Sequence, residues 1–283
     1  MGIQALAKRV AKTAFFRRKV QTIAAPVLFD ATRFPYGAFR FKARVSKGVT
    51  CSLLASSDLM HWNMIAEGVA AAEEAEYVDS DAGKFGHRFY RLLAANIPSV
   101  NVNGYASVAL PPGFSLICNP FDAPDNSVGA SFIGWPDGTT LNKYDTRQVR
   151  LNENGVKNGK WMHPGEQLLR GEGAIFFNPT EDYKSHSFVG DVVQGSLTLP
   201  IPSGFSLRGQ LVPQAGNLSE DLSFPISDGD VIHLFDRDRQ KYVLHPFEKG
   251  KWTAGAPILS VGESFWVAKT DPENWTKNLL VTS

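Results

Sequence analysis

Near the N-terminus, apolar residues recur at spacings near three and four or their sum: Ile3, Leu6, Val10, Phe16, Val20 and Ile23. Lys8, Arg9, Lys12, Arg17, Arg18 and Lys19 fall at positions between them. That spacing puts the apolar set on one face of a helix and leaves the other face cationic. Ala25-Pro26 ends the helix, since proline disfavours the helical conformation of its predecessor. From Phe39 the period falls to two. Phe39, Phe41, Ala43 and Val45 alternate with Arg40, Lys42 and Arg44, the pattern of a half-buried strand whose three charges form a solvated face rather than a binding site. Lys47-Gly48 reads as a turn, and strands follow at 49–55, 62–66, 77–78 and 88–93. Together they predict a small antiparallel unit over 31–97, closed by the Pro-, Asn- and Gly-rich stretch 97–104.

Beyond that boundary the chain writes one pattern twice. Gly113-Phe114-Ser115-Leu116 returns as Gly204-Phe205-Ser206-Leu207, Asp137-Gly138 as Asp228-Gly229, and Asp145 as Asp236. Gly159-Lys160-Trp161 returns as Gly250-Lys251-Trp252, and Gly171-Glu172 as Gly262-Glu263, every match at an offset of 91 residues. Five islands in one register define a duplicated module, with repeat 1 over about 101–190 and repeat 2 over about 192–283. Short aromatic and β-branched runs separated by glycine turns predict a sandwich or barrel. The link at 189–199 is itself strand-like, which favours one intimate unit over two beads. The fold expected is therefore all-β: an N-terminal amphipathic helix over 1–29, a small immunoglobulin-like sandwich over 31–97, and a duplicated β domain over 101–283.

Charge changes this picture only locally. The chain of 283 residues carries a net charge of +1, which gives no electrostatic case for nucleic acid. Yet residues 1–29 hold six basic residues and no acid, leaving 23 basic against 28 acidic residues elsewhere. The arm fits a docking helix, a membrane-surface or polyanion-binding segment, or a targeting segment, although no apolar core of 7–15 residues follows Arg17-Arg18. No apolar run reaches the roughly 18–20 residues of a transmembrane helix. Two cysteines, Cys51 and Cys118, do not make a disulfide framework.

The sequence offers no catalytic constellation and no expected cofactor. The six histidines never pair at metal-ligand spacing. Glu172 and Glu263 are a conceivable acid and base pair, but a glutamate repeated at the same turn is better explained by accepting turn N–H groups in each copy. Asp228-Gly229-Asp230 with Asp236-Arg237-Asp238 lacks the spacing of a calcium loop and reads as hairpin turns. Trp161 and Trp252, at matched strand starts, read as core. Trp275, among polar residues, is the tryptophan expected to be exposed, and with Trp135 it makes a candidate sugar-stacking platform.

The order Ser52 to Leu59, Trp62, Asp79-Ser80-Asp81, then Arg88-Phe89-Tyr90-Arg91 resembles the short immunoglobulin- or fibronectin-type modules of large secreted bacterial proteins. At about 60 residues it is shorter than a full sandwich, so it is either truncated or completed by another part of the chain. The paired GFSL-bearing halves resemble repeats in the same poorly characterised class of bacterial surface proteins. That resemblance implies a spacer, adhesive or assembly role. The expectation is a non-enzymatic subunit of a virion, appendage or cell-surface layer whose partners are other protein subunits, in a homo-oligomer or hetero-assembly. A carbohydrate-binding module is the alternative.

Overall fold

The computed structural model describes residues 23–281. Residues 1–22 of the predicted helix, with Lys8, Arg9, Lys12, Arg17, Arg18 and Lys19, lie outside the described residues; of the rest, 23–26 form no regular element and 27–29 belong to a strand. What is described is almost entirely antiparallel β-structure, with one α-helical turn, α1 (Val128–Ser131).

The first sandwich is built from the alternating strands. One sheet has the order β1 (Val27–Arg33), β2 (Phe39–Arg44), β5 (Glu74–Asp79). Phe39, Phe41 and Ala43 point inward and are buried. Between them Lys42 meets Asp30 at 2.8 Å and Arg44 meets Glu74 at 3.4 Å on the outer face, so the three cations are a solvated face with partners of small individual worth. Asp79 is buried at the end of β5. It accepts hydrogen bonds from Arg88 at 2.7 Å and from the Tyr90 hydroxyl at 2.8 Å, which ties this sheet to the facing one.

The facing sheet corrects the expected domain boundaries. It contains β3 (Thr50–Ser56), β4 (Asn63–Val69) and β6 (His87–Ala94), and it continues into β7 (Asn103–Leu110) and β12 (Lys184–Asp191), in the order β12-β7-β6-β3-β4. β6 pairs with β7 from His87↔Ala106 to Tyr90↔Asn103, so a sheet runs straight through the stretch 97–104. Moreover, β1 begins at Val27, inside the stretch 1–29 assigned to the arm. The physical reason is coverage: the strands of 31–97 cannot close a core alone, and Tyr105 of β7 completes the cluster of Phe39, Phe41 and Tyr90.

The duplication is reproduced residue by residue. In the first copy β8 (Gly113–Ile117), β9 (Thr140–Asp145), β10 (Arg150–Asn152) and β11 (Ala174–Asn178) form a sheet of order β10-β9-β11-β8. In the second, β14 (Gly204–Arg208), β15 (Val231–Asp236), β16 (Lys241–Glu248) and β17 (Phe265–Lys269) form β14-β17-β15-β16. Ile117↔Ala174 corresponds to Arg208↔Phe265, and Thr140↔Phe177 to Val231↔Ala268, all at the offset of 91. Each copy then returns along its first strand: β12 on β7, and β18 (Glu273–Leu279) on β13 (Gly195–Ile201). The connection before this last strand is two residues shorter in the second copy, so Trp275, opposite Leu199, takes the place of His186, opposite Val108.

The two copies meet reciprocally. The Cys118 N–H donates to the Gly262 carbonyl and the Gly209 N–H to the Gly171 carbonyl. Backbone bridges join Ile117 to Glu263 and Arg208 to Glu172. Exchanging the copies maps each contact onto its mate, which is the relation of a local twofold axis. Glycine is required there. A Cβ on Gly262, at φ +87°, lands 2.5 Å from Val108, and one on Gly171, at φ +79°, lands 2.7 Å from Leu199. At Gly209 a Cβ would sit 2.4 Å both from the Cβ of its counterpart Cys118 and from the Glu172 carbonyl oxygen, so only one of the two mates carries a side chain. Gly209→Ala is therefore expected to cost about 1–3 kcal/mol through overpacking, measured by urea denaturation. Because the Glu172 carbonyl stays in place, the cost should shrink only in part in a Cys118→Gly background; an equal cost in both backgrounds would show that the backbone contact alone sets it.

Candidate interaction surfaces

The conserved offset places Glu172 and Glu263 at equivalent turns, where each does the local job its position implies. Glu172 accepts from the Leu169 N–H at 2.9 Å and Glu263 from the Ser260 N–H at 2.7 Å. Each is also neutralised by a cation, Lys143 at 2.6 Å and Arg237 at 2.5 Å respectively. The two glutamates line separate clefts, of about 310 and 260 Å³. These clefts are mates across the local twofold and have diverged in chemistry. Lys143, Arg147 and Arg208 line the first, whereas Leu116, Leu234 and Phe235 line the second. Neither of these two clefts holds both glutamates.

The aspartates of the hairpins are turn acceptors. Asp145 takes the N–H groups of Arg147 and Gln148, and Asp236 those of Asp238 and Arg239. Asp137 and Asp228 reach across to Gly159 and Gly250 at the lysine-tryptophan turns. Among the described residues no group of three or more His, Cys, Asp or Glu side chains is arranged to hold a metal ion.

Of the two tryptophans expected to form a glycan platform, Trp275 is instead core. It is 1 % exposed, packs edge-on against Phe224 and Phe265, and donates its indole N–H to the Leu222 carbonyl at 2.8 Å. The polar neighbours that made it look exposed point to the opposite face of β18: Asn274 and Thr276 are exposed while Trp275 and Leu279 are buried. Trp135 is half-buried, edge-on against Phe176 at 4.7 Å, with the Lys184 ammonium 5.5 Å from its ring centre. It borders an apolar recess of about 300 Å³ with Phe132, Ile133 and Trp161. Trp161 is buried and Trp252 half-buried; the repeat residues Phe114 and Phe205 lie 46 % and 54 % exposed on the outer faces of their sheets.

The surface that sequence reasoning missed is the outer edge of the first sandwich. β4 is the terminal strand of its sheet, and all seven of its residues are exposed. Met64, Ile65 and Val69 lie along it and Met60 just before it. Leu53 pairs with Ala66 and Leu54 with Met64, so Ile65 is the extra residue of a bulge on β4 itself. The strand leaves one row of backbone donors and acceptors without a strand partner, the feature that natural edges blunt with charge, proline or a bulge; β4 carries one charge, Glu67, the bulge at Ile65, and no proline. The signal in the sequence was the absence of alternation over 63–69.

No protein-family model matches the chain, and no curated protein matches it. The described residues contain no helix long and apolar enough to cross a membrane.

His186 supplies a pH handle. The residue is half-buried, but its ring stacks on Phe132 at 4.0 Å between centroids and its Nε2 is shielded from solvent without a partner. Burial pulls its pKa from the ordinary 6.5 down to about 3. The unfolded chain thus binds this proton more readily than the folded one, so stability is lost as pH falls from about 6.5 toward 3, by at most about 1.4 kcal/mol per pH unit. His186→Phe is expected to flatten that part of the stability–pH curve between pH 6 and 4. Parallel curves for the two proteins would show that His186 does not titrate with unfolding.

Proposed function

We propose that this protein is a non-enzymatic structural or adhesion subunit of a larger assembly, and that its partner is another protein subunit. The observation that supports this reading is β4, a terminal strand exposed along its whole length and carrying Met64, Ile65 and Val69. Such an edge fits the strand of a neighbouring subunit, with backbone hydrogen bonds for affinity and the methionine, isoleucine and valine side chains for packing. The acid-free basic arm, through Lys8, Arg9, Lys12, Arg17, Arg18 and Lys19, is the second docking element in this reading. The glutamates of the duplicated turns support a non-catalytic role, since each is occupied by turn N–H groups and a cation. The glycan alternative loses its main platform with the burial of Trp275 and retains only the recess beside Trp135.

A Met64→Lys, Val69→Lys double variant tests the edge, since added lysines oppose edge pairing. Both positions are exposed, so stability should change by no more than about 0.5 kcal/mol. Full-length protein is expected to sediment as an oligomer or co-assemble with its partner, and the variant as a monomer with an unchanged melting temperature. If the variant assembles as the parent does, or if the parent is monomeric at every concentration and binds no protein partner, the proposal fails.

A further inference from the structure

At two neighbouring positions the copies differ together: Thr139 and Asn178 in the first become Asp230 and Lys269 in the second, both at the offset of 91. In the first copy the solution is uncharged. Asn178 donates to the carbonyls of Leu110 and Asp182, and the Thr139 hydroxyl is buried without a partner. In the second copy the Lys269 and Asp230 side chains are both fully buried and lie 2.5 Å apart. Lys269 ends β17, and Asp230 immediately precedes β15, one step beyond the Val231↔Ala268 pair of the ladder. Removing two charges from water costs several kcal/mol per ion, and the first copy closes the same ladder without them. The fold alone does not require the pair.

The surrounding atoms are arranged as a reaction would need. Asp230 Oδ1 accepts from the Thr270 N–H at 2.7 Å and from the Thr270 hydroxyl at 2.9 Å. Oδ2 faces the Lys269 ammonium and accepts from the Ser227 N–H at 2.8 Å. A second carboxylate, Glu273, contacts the same Lys269 nitrogen and is partly open to solvent. One oxygen of Asp230 therefore sits between fixed donors able to hold an oxyanion, and the other sits beside the groups that carry protons.

We propose that Lys269 and Asp230 condense to an amide that covalently joins β17 to the start of β15, with Glu273 as the catalytic proton carrier. The Lys269 ammonium passes one proton to Asp230 Oδ2, and the freed amine attacks the side-chain carbonyl carbon. The C–N bond forms as charge collects on Oδ1, facing the Thr270 donors. Glu273 takes a second proton from the nitrogen and delivers it to Oδ2. The C–Oδ2 bond breaks and water leaves, so the nitrogen keeps one proton, Glu273 is restored, and no oxidant or co-reactant is consumed. Juxtaposition in a fixed geometry supplies the entropy that a bimolecular condensation lacks, and the product replaces two buried charges by one neutral amide. Burial pushes the Asp230 carboxyl up, but the Lys269, Thr270 and Ser227 donors outweigh it and hold the group below its ordinary value. Asp230 thus rests as a carboxylate, and the reaction runs slowly, once per molecule, after folding.

Intact mass of the full-length folded protein, measured under denaturing conditions, is the test. The parent is expected to be lighter than its sequence mass by one water, and peptide mapping should recover a branched peptide linking Lys269 to Asp230. Lys269→Met should keep its full mass. Glu273→Gln, which retains both reacting side chains, should keep it or lose water far more slowly, and it serves if the methionine variant does not fold. A parent at full mass after prolonged incubation overturns the proposal. So does a water loss that persists in Lys269→Met or maps elsewhere, as cyclisation at Asp228-Gly229 would give.

Discussion

The duplicated half depends on how closely two backbones approach at the local twofold. Gly171 and Gly262 turn with positive φ against Leu199 and Val108 of the opposite copy, and the space between Cys118 and Gly209 admits one side chain. At such separations the reciprocal N–H···O contacts form directly between copies, and neither copy retains a free end there. A twofold contact inside one chain is not bound to symmetry as a homodimer is. One mate can shrink while the other grows, as Cys118 against Gly209 and Ser264 against Gly173 illustrate. The same freedom accounts for the two clefts, which share a glutamate, a cation and an aspartate but differ in the further cations of the first and the additional apolar side chains of the second.

Much of this was readable from the chain because it is local. Alternation at Phe39 to Val45 located β2 and its outward cations. The fixed offset of the glycine turns located the strands of both copies, and the repeated Glu172 and Glu263 announced a turn acceptor needed twice. What failed was long-range. Trp275 sits among polar residues, yet the alternation Trp275, Lys277, Leu279 already placed it on the inward face, where Phe224 and Phe265 cover it. The sharing of one sheet between β6 and β7 could not be read, since a turn-rich stretch looks alike whether it separates domains or only strands. The missing alternation over 63–69 marks β4 as unlike its neighbours, but its exposure depends on how far the facing sheet reaches.

Charge shows the same division. The surface pairs of β1 and β2 follow from alternation alone, and each matters little. The Lys269–Asp230 pair lies in the interior, and its sequence signature is a double replacement relative to the first copy. Internal repeats give a protein its own control: where the sister site manages with threonine and asparagine, the charged version calls for a reason other than the fold.

The sheet that crosses from the first sandwich into the first repeat also sets an order of events during synthesis. β7 binds β6, made shortly before it, but its other edge is paired with β12 over Asn103↔Asp191 to Leu110↔Lys184. Until residue 191 has left the ribosome, the nascent chain holds a finished N-terminal half with an open, apolar β7 edge. Completion therefore waits on the chain's own later strand, and a stall between 110 and 184 would present that edge to any neighbouring polysome product.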